Sequence, residues 1–118
     1  MVVNIIGDGA WHYSPTPAAL GFSQEYGVPL LIVLCNNRQY ASQTWNVLKY
    51  FPDGAAVTTQ NIAGDLIEPA PDYVKQAEAY GGRGQRVQTL SELTPALQRA
   101  VDVVASGRTF LLDVAVNP

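Results

Sequence analysis

Two short polar motifs each close an apolar run in this sequence: Gly7-Asp8-Gly9 follows Val2–Ile6, and Asn36-Asn37 follows Val28–Cys35. A carboxylate and a neutral amide oxygen are hard oxygen donors. That pairing suits Mg²⁺, which takes few protein ligands and completes its shell with phosphate oxygens and water. Glycines on both sides of Asp8 let backbone N–H groups approach an anion closely. The 26 residues between the motifs are about one helical crossover between parallel strands. If the two apolar runs are neighbouring strands, Asp8 and Asn37 meet at one sheet edge, outside the carboxyl ends of the strands, where open parallel sheets bind their ligands.

The elements that must position these residues read as alternating strands and helices. Val2, Val3, Ile5 and Ile6 predict a first strand buried on both faces. Ser14-Pro15 predicts a helix start, with Ala18, Phe22 and Tyr26 on one face and Gly27 and Pro29 as the stop. Val28–Cys35 is the second buried strand. A helix is expected near Tyr40, placing Ala41, Trp45 and Leu48 on a common face, and Pro52 ends it. The stretch 51–71 has no sustained period and carries several prolines and glycines, which predicts a mobile cover rather than a stable helix. Asp72 caps a short helix aligning Tyr73, Ala77 and Tyr80, and Gln85–Gln88 predicts a short strand. Ser91 opens an amphipathic helix with Leu93, Leu97, Ala100, Val101 and Val104 on one stripe, and Thr109–Val116 is the last strand. The alternation predicts one α/β domain over residues 1–118, a three-layer sandwich with a mainly parallel sheet flanked by helices.

Composition narrows the function. The 118 residues are 47% hydrophobic, and seven Lys and Arg against ten Asp and Glu give a net charge of −3 with no basic run, which argues against nucleic-acid binding. The longest apolar runs fall far short of the ~20 residues that span a bilayer. Cys35 and His12 are the only residues of their types, so neither an internal disulfide nor a Cys- or His-based metal cage can form, and a cytoplasmic location is expected. The chain opens directly on a core-like strand, which suggests a piece of something longer. A nicotinamide-binding G-x-G-x-x-G fails because His12 stands where the third glycine is required. A receiver-like module would need a lysine at a late strand end, whereas Lys49 and Lys75 fall in predicted helices.

The G-D-G and N-N motifs at this spacing, with Tyr40 after the second motif, Asp72, the Tyr80-Gly81 pair and the closing helix and strand, resemble the diphosphate-binding signature of thiamine diphosphate (ThDP)-dependent enzymes. These form the group of acetolactate synthase, benzoylformate decarboxylase and pyruvate decarboxylase, and the likeness runs over nearly the whole chain. The resemblance implies a C-terminal, diphosphate-side domain of a lyase or transferase acting on a 2-oxo acid with ThDP and Mg²⁺. It implies that Asp8 and Asn37 coordinate Mg²⁺ through their side chains and Gln39 through its carbonyl. The N–H groups of Gly9, Ala10, Tyr40 and Ala41 would hold phosphate oxygens. Two positions depart from the pattern: Ala10 where many members carry Ser, and Arg38 where a small or neutral residue is common.

The resemblance also implies N-terminal and middle domains beyond this chain, a homo-oligomer, and an activating glutamate donated by another domain of a partner subunit. No catalytic residue is therefore assigned here, and Glu25, Glu68, Glu78 and Glu92 are not placed in that role. Ser42, Gln43 and Asn46 are expected to face the substrate. The rival reading is a catalytically inactive nucleotide- or phosphate-binding α/β module with a regulatory or scaffolding role. His12 is expected to make an ordinary hydrogen bond, Cys35 and Trp45 to be core residues, and Asp113 to be structural, with a partner inside its apolar strand.

Overall fold

The structure, a computed structural model, describes residues 1–117. Its elements in chain order are β1 (Val2–Gly7), α1 (Asp8–Tyr13), α2 (Thr16–Tyr26), β2 (Leu30–Asn36), α3 (Ala41–Tyr50), α4 (Ala55–Thr58), α5 (Tyr73–Glu78), β3 (Arg83–Val87), α6 (Leu90–Ala105) and β4 (Phe110–Ala115). The four strands form one all-parallel sheet in the order β1-β2-β4-β3. Gly7 pairs with Cys35 and Asn36 with Ala115, so the carboxyl ends of β1, β2 and β4 lie side by side. The expected α/β sandwich is the observed one.

Strand parity divides the core between the two sheet faces. Ile32, Leu34 and Leu111 point to one face, where they pack with Trp11, Leu20, Tyr73 and Ala77 from α1, α2 and α5. Leu31, Leu112, Phe110 and Val87 point to the other, against Ala96, Ala100 and Val104 of α6. Leu34, Leu111 and Leu112 are wholly buried, each contributing about 1.5–3 kcal/mol by removal from water. The α6 helix starts at Leu90, not at Ser91, with Thr89 as its N-cap: the Glu92 carboxylate reaches back to accept the Gln88 N–H at 2.8 Å and the Thr89 N–H at 3.1 Å.

Three apolar segments differ from the expectation. β1 is an edge strand with one sheet neighbour, and Val2, Val3 and Ile5 are exposed rather than buried on both faces. In α2 the side that carries Phe22 and Tyr26 faces outward, where the two rings stack at 4.5 Å, while Leu20 and Ser23 face the sheet. Trp45 is 75% exposed, and α3 buries none of its residues. The Trp45 core assignment is therefore wrong. Ser14 does not cap α2. Its hydroxyl donates to the carbonyl of Ala10, ending an additional short helix, α1, that the pattern did not reveal. Within 51–71 a four-residue helix forms, α4, and the end of the stretch is tied back, with Ile67 buried and its N–H donating to the carbonyl of Arg38. Among the described residues no helix is long and apolar enough to cross a membrane.

Candidate functional site

The parallel pairing of β1 and β2 brings the two motifs into contact. Asp8, the first residue of α1, is 2% exposed. Its Oδ2 accepts the Arg38 N–H at 2.7 Å and its Oδ1 accepts the Gly9 N–H at 3.0 Å. The Arg38 N–H is shared with Asn36 Oδ1 at 3.2 Å, and Asn36 Nδ2 donates to Asp113 Oδ1 at 2.8 Å. One continuous chain of hydrogen bonds thus runs from the buried Asp113 in β4, through Asn36 at the end of β2, to Asp8 after β1. Arg38 has φ of 59°, a left-handed conformation that costs a non-glycine residue about 1–2 kcal/mol. The bonds from its N–H to Asp8 and Asn36 are what hold it there. Its guanidinium turns outward to Glu68 at 2.5 Å, both side chains about half exposed, so the pair adds little stability.

α1 is itself clamped to α5. Trp11 Nε1 donates to Gln76 Oε1 at 2.8 Å, and His12 Nε2 lies 3.1 Å from the Tyr73 hydroxyl. Burial, and then the negative charges of Asp8 and Asp113, push the Tyr73 phenol well above its ordinary value, so it stays protonated and can donate to His12. His12 makes the ordinary hydrogen bond expected of it. Asp113 has its partner in Asn36, with Arg86 Nε farther off at 3.9 Å.

Around Asp8 lies a cleft of about 560 Å³ whose lining includes Gly9, Ala10, Asn37, Gln39, Tyr40 and Ala41. The residues expected to hold metal and diphosphate are therefore gathered in one place. Asn37 Oδ1 accepts the Gln39 N–H at 3.1 Å and retains a second lone pair. The Gln39 carbonyl oxygen faces Gly9, 3.5 Å from where a Cβ would stand, and the Tyr40 ring would be only 3.0 Å from that Cβ. A side chain at position 9 would have to displace the Tyr40 ring by a few tenths of an ångström. Among the described residues, the N–H groups of Ala10, Ala41 and Ser42 have no protein acceptor. The Tyr40 N–H, by contrast, donates to the Asp65 carbonyl at 3.0 Å, and the Gly9 N–H is taken by Asp8.

The donor set at Asp8, Asn37 and the Gln39 carbonyl consists of oxygens only and carries a single negative charge. Among the described residues no group of three or more His, Cys, Asp or Glu could hold a metal ion by itself. This chemistry fits a Mg²⁺ that takes most of its ligands from a phosphate-bearing molecule and water. Ser42 and Gln43 line the cleft, their side chains bonded to each other at 2.8 Å, whereas Asn46 is not part of the lining. Cys35 is half-buried and lines the same cleft, so it is not the plain core residue expected. Sequence reasoning passed over Asn36 and Asp65 as positioning residues. Asn36 was detectable, since it shares the strand parity of the buried Ile32 and Leu34. Asp65 was not, because no local pattern ties it to Tyr40.

The family model of the thiamine pyrophosphate enzyme C-terminal TPP binding domain matches residues 1–114. The chain is 31% identical over 118 residues to a probable acetolactate synthase large subunit of Methanococcus aeolicus, a match that covers 99% of this chain and 18% of the relative. It is 28% identical to a sulfoacetaldehyde acetyltransferase of Rhodobacter capsulatus, over 98% of this chain and 18% of the relative. The solved thiamine diphosphate-dependent 4-hydroxybenzoylformate decarboxylase of Rhodococcus jostii superimposes with a TM-score of 0.78 at 28% identity, covering 99% of this chain and 20% of that one. The chain thus spans about a fifth of the length of these relatives. With its sheet order, its strand-end motifs and this match in agreement, the chain belongs to the family of C-terminal TPP-binding domains of thiamine pyrophosphate enzymes.

Proposed function

We propose that this chain binds the diphosphate end of ThDP together with Mg²⁺, as the C-terminal domain of a larger, homo-oligomeric enzyme that decarboxylates or ligates a small 2-oxo acid. The observation that carries the reading is the buried Asp8 carboxylate, fixed against the Asn36–Gln39 loop and opening on a cleft with unpaired backbone donors. Asp8, Asn37 and the Gln39 carbonyl would hold the metal. The N–H groups of Ala10 and Ala41 would hold phosphate oxygens, the latter at the N-terminus of the ten-residue α3. Gly9 would let the phosphate approach the backbone. For Tyr40 to donate as well, its bond to Asp65 must open, so the stretch that ends in α5 becomes a cover whose position depends on the ligand.

The bound cofactor would supply an electron sink for the 2-oxo acid carbonyl. This chain's own part is to bind and orient it. The relatives' printed activities support the class, since they include a synthase, an acetyltransferase and a decarboxylase. Among the described residues no glutamate lines the cleft, so the chain alone should be inactive. Calorimetric titration of the chain with ThDP tests the reading. Binding with millimolar Mg²⁺ present and at least tenfold weaker binding with EDTA is the expected result. Mg²⁺-independent affinity, or none in either condition, overturns it.

A further inference from the structure

The seven cationic side chains of this net-negative chain fall into two sets. Arg38 pairs with Glu68, Lys75 with Asp72, Arg86 with Asp113, and Lys49 sits over the Tyr50 ring at 5.0 Å. The other three, Arg83, Arg99 and Arg108, form no ion pair among the described residues, and all three line one cavity of about 790 Å³. Among the described residues no carboxylate lines it. In a chain carrying −3, three uncompensated guanidinium groups in one hollow make a local field opposite in sign to the molecule's own.

The cavity lies far from the Asp8 cleft. Arg83 and Phe110 are the first residues of β3 and β4 and pair in register. Asp8 and Asn36 stand at the opposite ends of their parallel strands, about 20 Å away at the usual rise per residue. The three arginines come from separate elements: β3, the middle of α6, and the segment leading into β4. Compensation of the α6 dipole accounts for Arg108 at most, since that effect fades beyond the last turn. Arg99 donates one N–H to Gln85 Oε1, which fixes its direction and leaves four of its five donors for another acceptor.

The geometry points to a second anion site, in which Arg83, Arg99 and Arg108 bind a compact polyanion of the di- or triphosphate type, separate from the cofactor cleft. Three planar forks lining one volume can match several phosphate oxygens at once, better than they match a single dianion. The guanidinium groups are solvent-exposed, so binding weakens steeply with ionic strength.

The test titrates the full chain with inorganic tripolyphosphate at low salt in EDTA, following backbone amide NMR shifts and heat. The expected result is saturable binding, with shifts concentrated at Gly84, Gln85 and Ser106. The double variant Arg99→Gln, Arg108→Gln should weaken it at least tenfold. Lys49→Gln, which removes an exposed charge elsewhere, should leave it within twofold. Sulfate should bind at least tenfold less tightly. Shifts centred on Gly9, Ala10 and Asn37, an equal loss in Lys49→Gln, sulfate binding as tightly as tripolyphosphate, or no saturation by millimolar tripolyphosphate would each overturn the proposal.

Discussion

Asp8→Asn separates what the Asp8 charge does for the fold from what it does for a ligand. In the structure each carboxylate oxygen accepts one backbone N–H, from Arg38 at 2.7 Å and from Gly9 at 3.0 Å. Asparagine keeps one acceptor and turns an NH₂ toward the other donor, which loses a charge-assisted bond of about 1.5–3 kcal/mol. Two effects offset part of that loss. The buried negative charge disappears, and the Arg38 N–H keeps its second acceptor, Asn36 Oδ1, at 3.2 Å. The net destabilisation should be about 1–2 kcal/mol, or roughly 4–8 °C in Tm for a domain of this size. Binding should suffer more. Asp8 is the only carboxylate in the proposed metal set, and stripping the partner from a poorly hydrated charge costs about 3–5 kcal/mol, a loss of some two to three and a half orders of magnitude in affinity. Urea denaturation without ligand measures the first number, and calorimetry with ThDP in millimolar Mg²⁺ the second. ThDP affinity within about threefold of the parent, in a variant that still folds, would refute the metal assignment. A loss of stability well above 3 kcal/mol would instead show that the carboxylate's role in holding the Arg38 turn has been underestimated.

Three further outcomes follow from the same geometry. Asn36→Ala removes the buried partner of Asp113 and should cost about 2–4 kcal/mol, whereas Asn37→Ala, which loses only the bond from the Gln39 N–H, should cost about 1 kcal/mol; paired urea titrations giving the reverse order would contradict the network. Gly84→Ala would place a Cβ 2.9 Å from the Leu111 carbonyl and 3.0 Å from Val74 Cγ1, so thermal unfolding should report a loss of about 1–3 kcal/mol from overpacking. Hydrogen bonds from the Gln88 and then the Thr89 N–H hold Glu92 below its ordinary value of 4.5. Its capping contribution is present above that value and is lost as pH falls through the lowered one, so Glu92→Gln should flatten the acid-side decline in stability measured at stepped pH while leaving the neutral-pH slope alone.

The sheet was legible because β2 and β4 are apolar runs bounded by turn residues and sit between other strands, where pattern and burial coincide. The candidate site was legible for a related reason: a carboxylate flanked by glycines and an Asn-Asn pair each close an apolar run, 26 residues apart, which is about one helical crossover, and β1 and β2 do pair as neighbours. What stayed hidden was set by contacts remote in sequence. The short helix α1 owes its place to Trp11 and His12 meeting Gln76 and Tyr73, more than sixty residues away. The engagement of the Tyr40 N–H depends on a carbonyl in the stretch with no readable period.

The errors over β1, α2 and α3 share one physical origin. Periodicity identifies which side of an element is apolar, but burial on that side requires a surface to cover it. In this chain the sheet offers only two faces, and α1, α2 and α5 fill one while α6 fills the other. Nothing within the described residues is left to cover the outer edge of β1 or the exposed Trp45, Leu48 and Phe51 in and just after α3. The apolar character of those positions is therefore information about something other than this chain's own core. Asp8 and Asn36 needed no such cover, because their burial is provided by the strand ends and by Asp113 beside them. That difference explains why the residues of the candidate site could be brought together from the sequence while the packing of their surroundings could not.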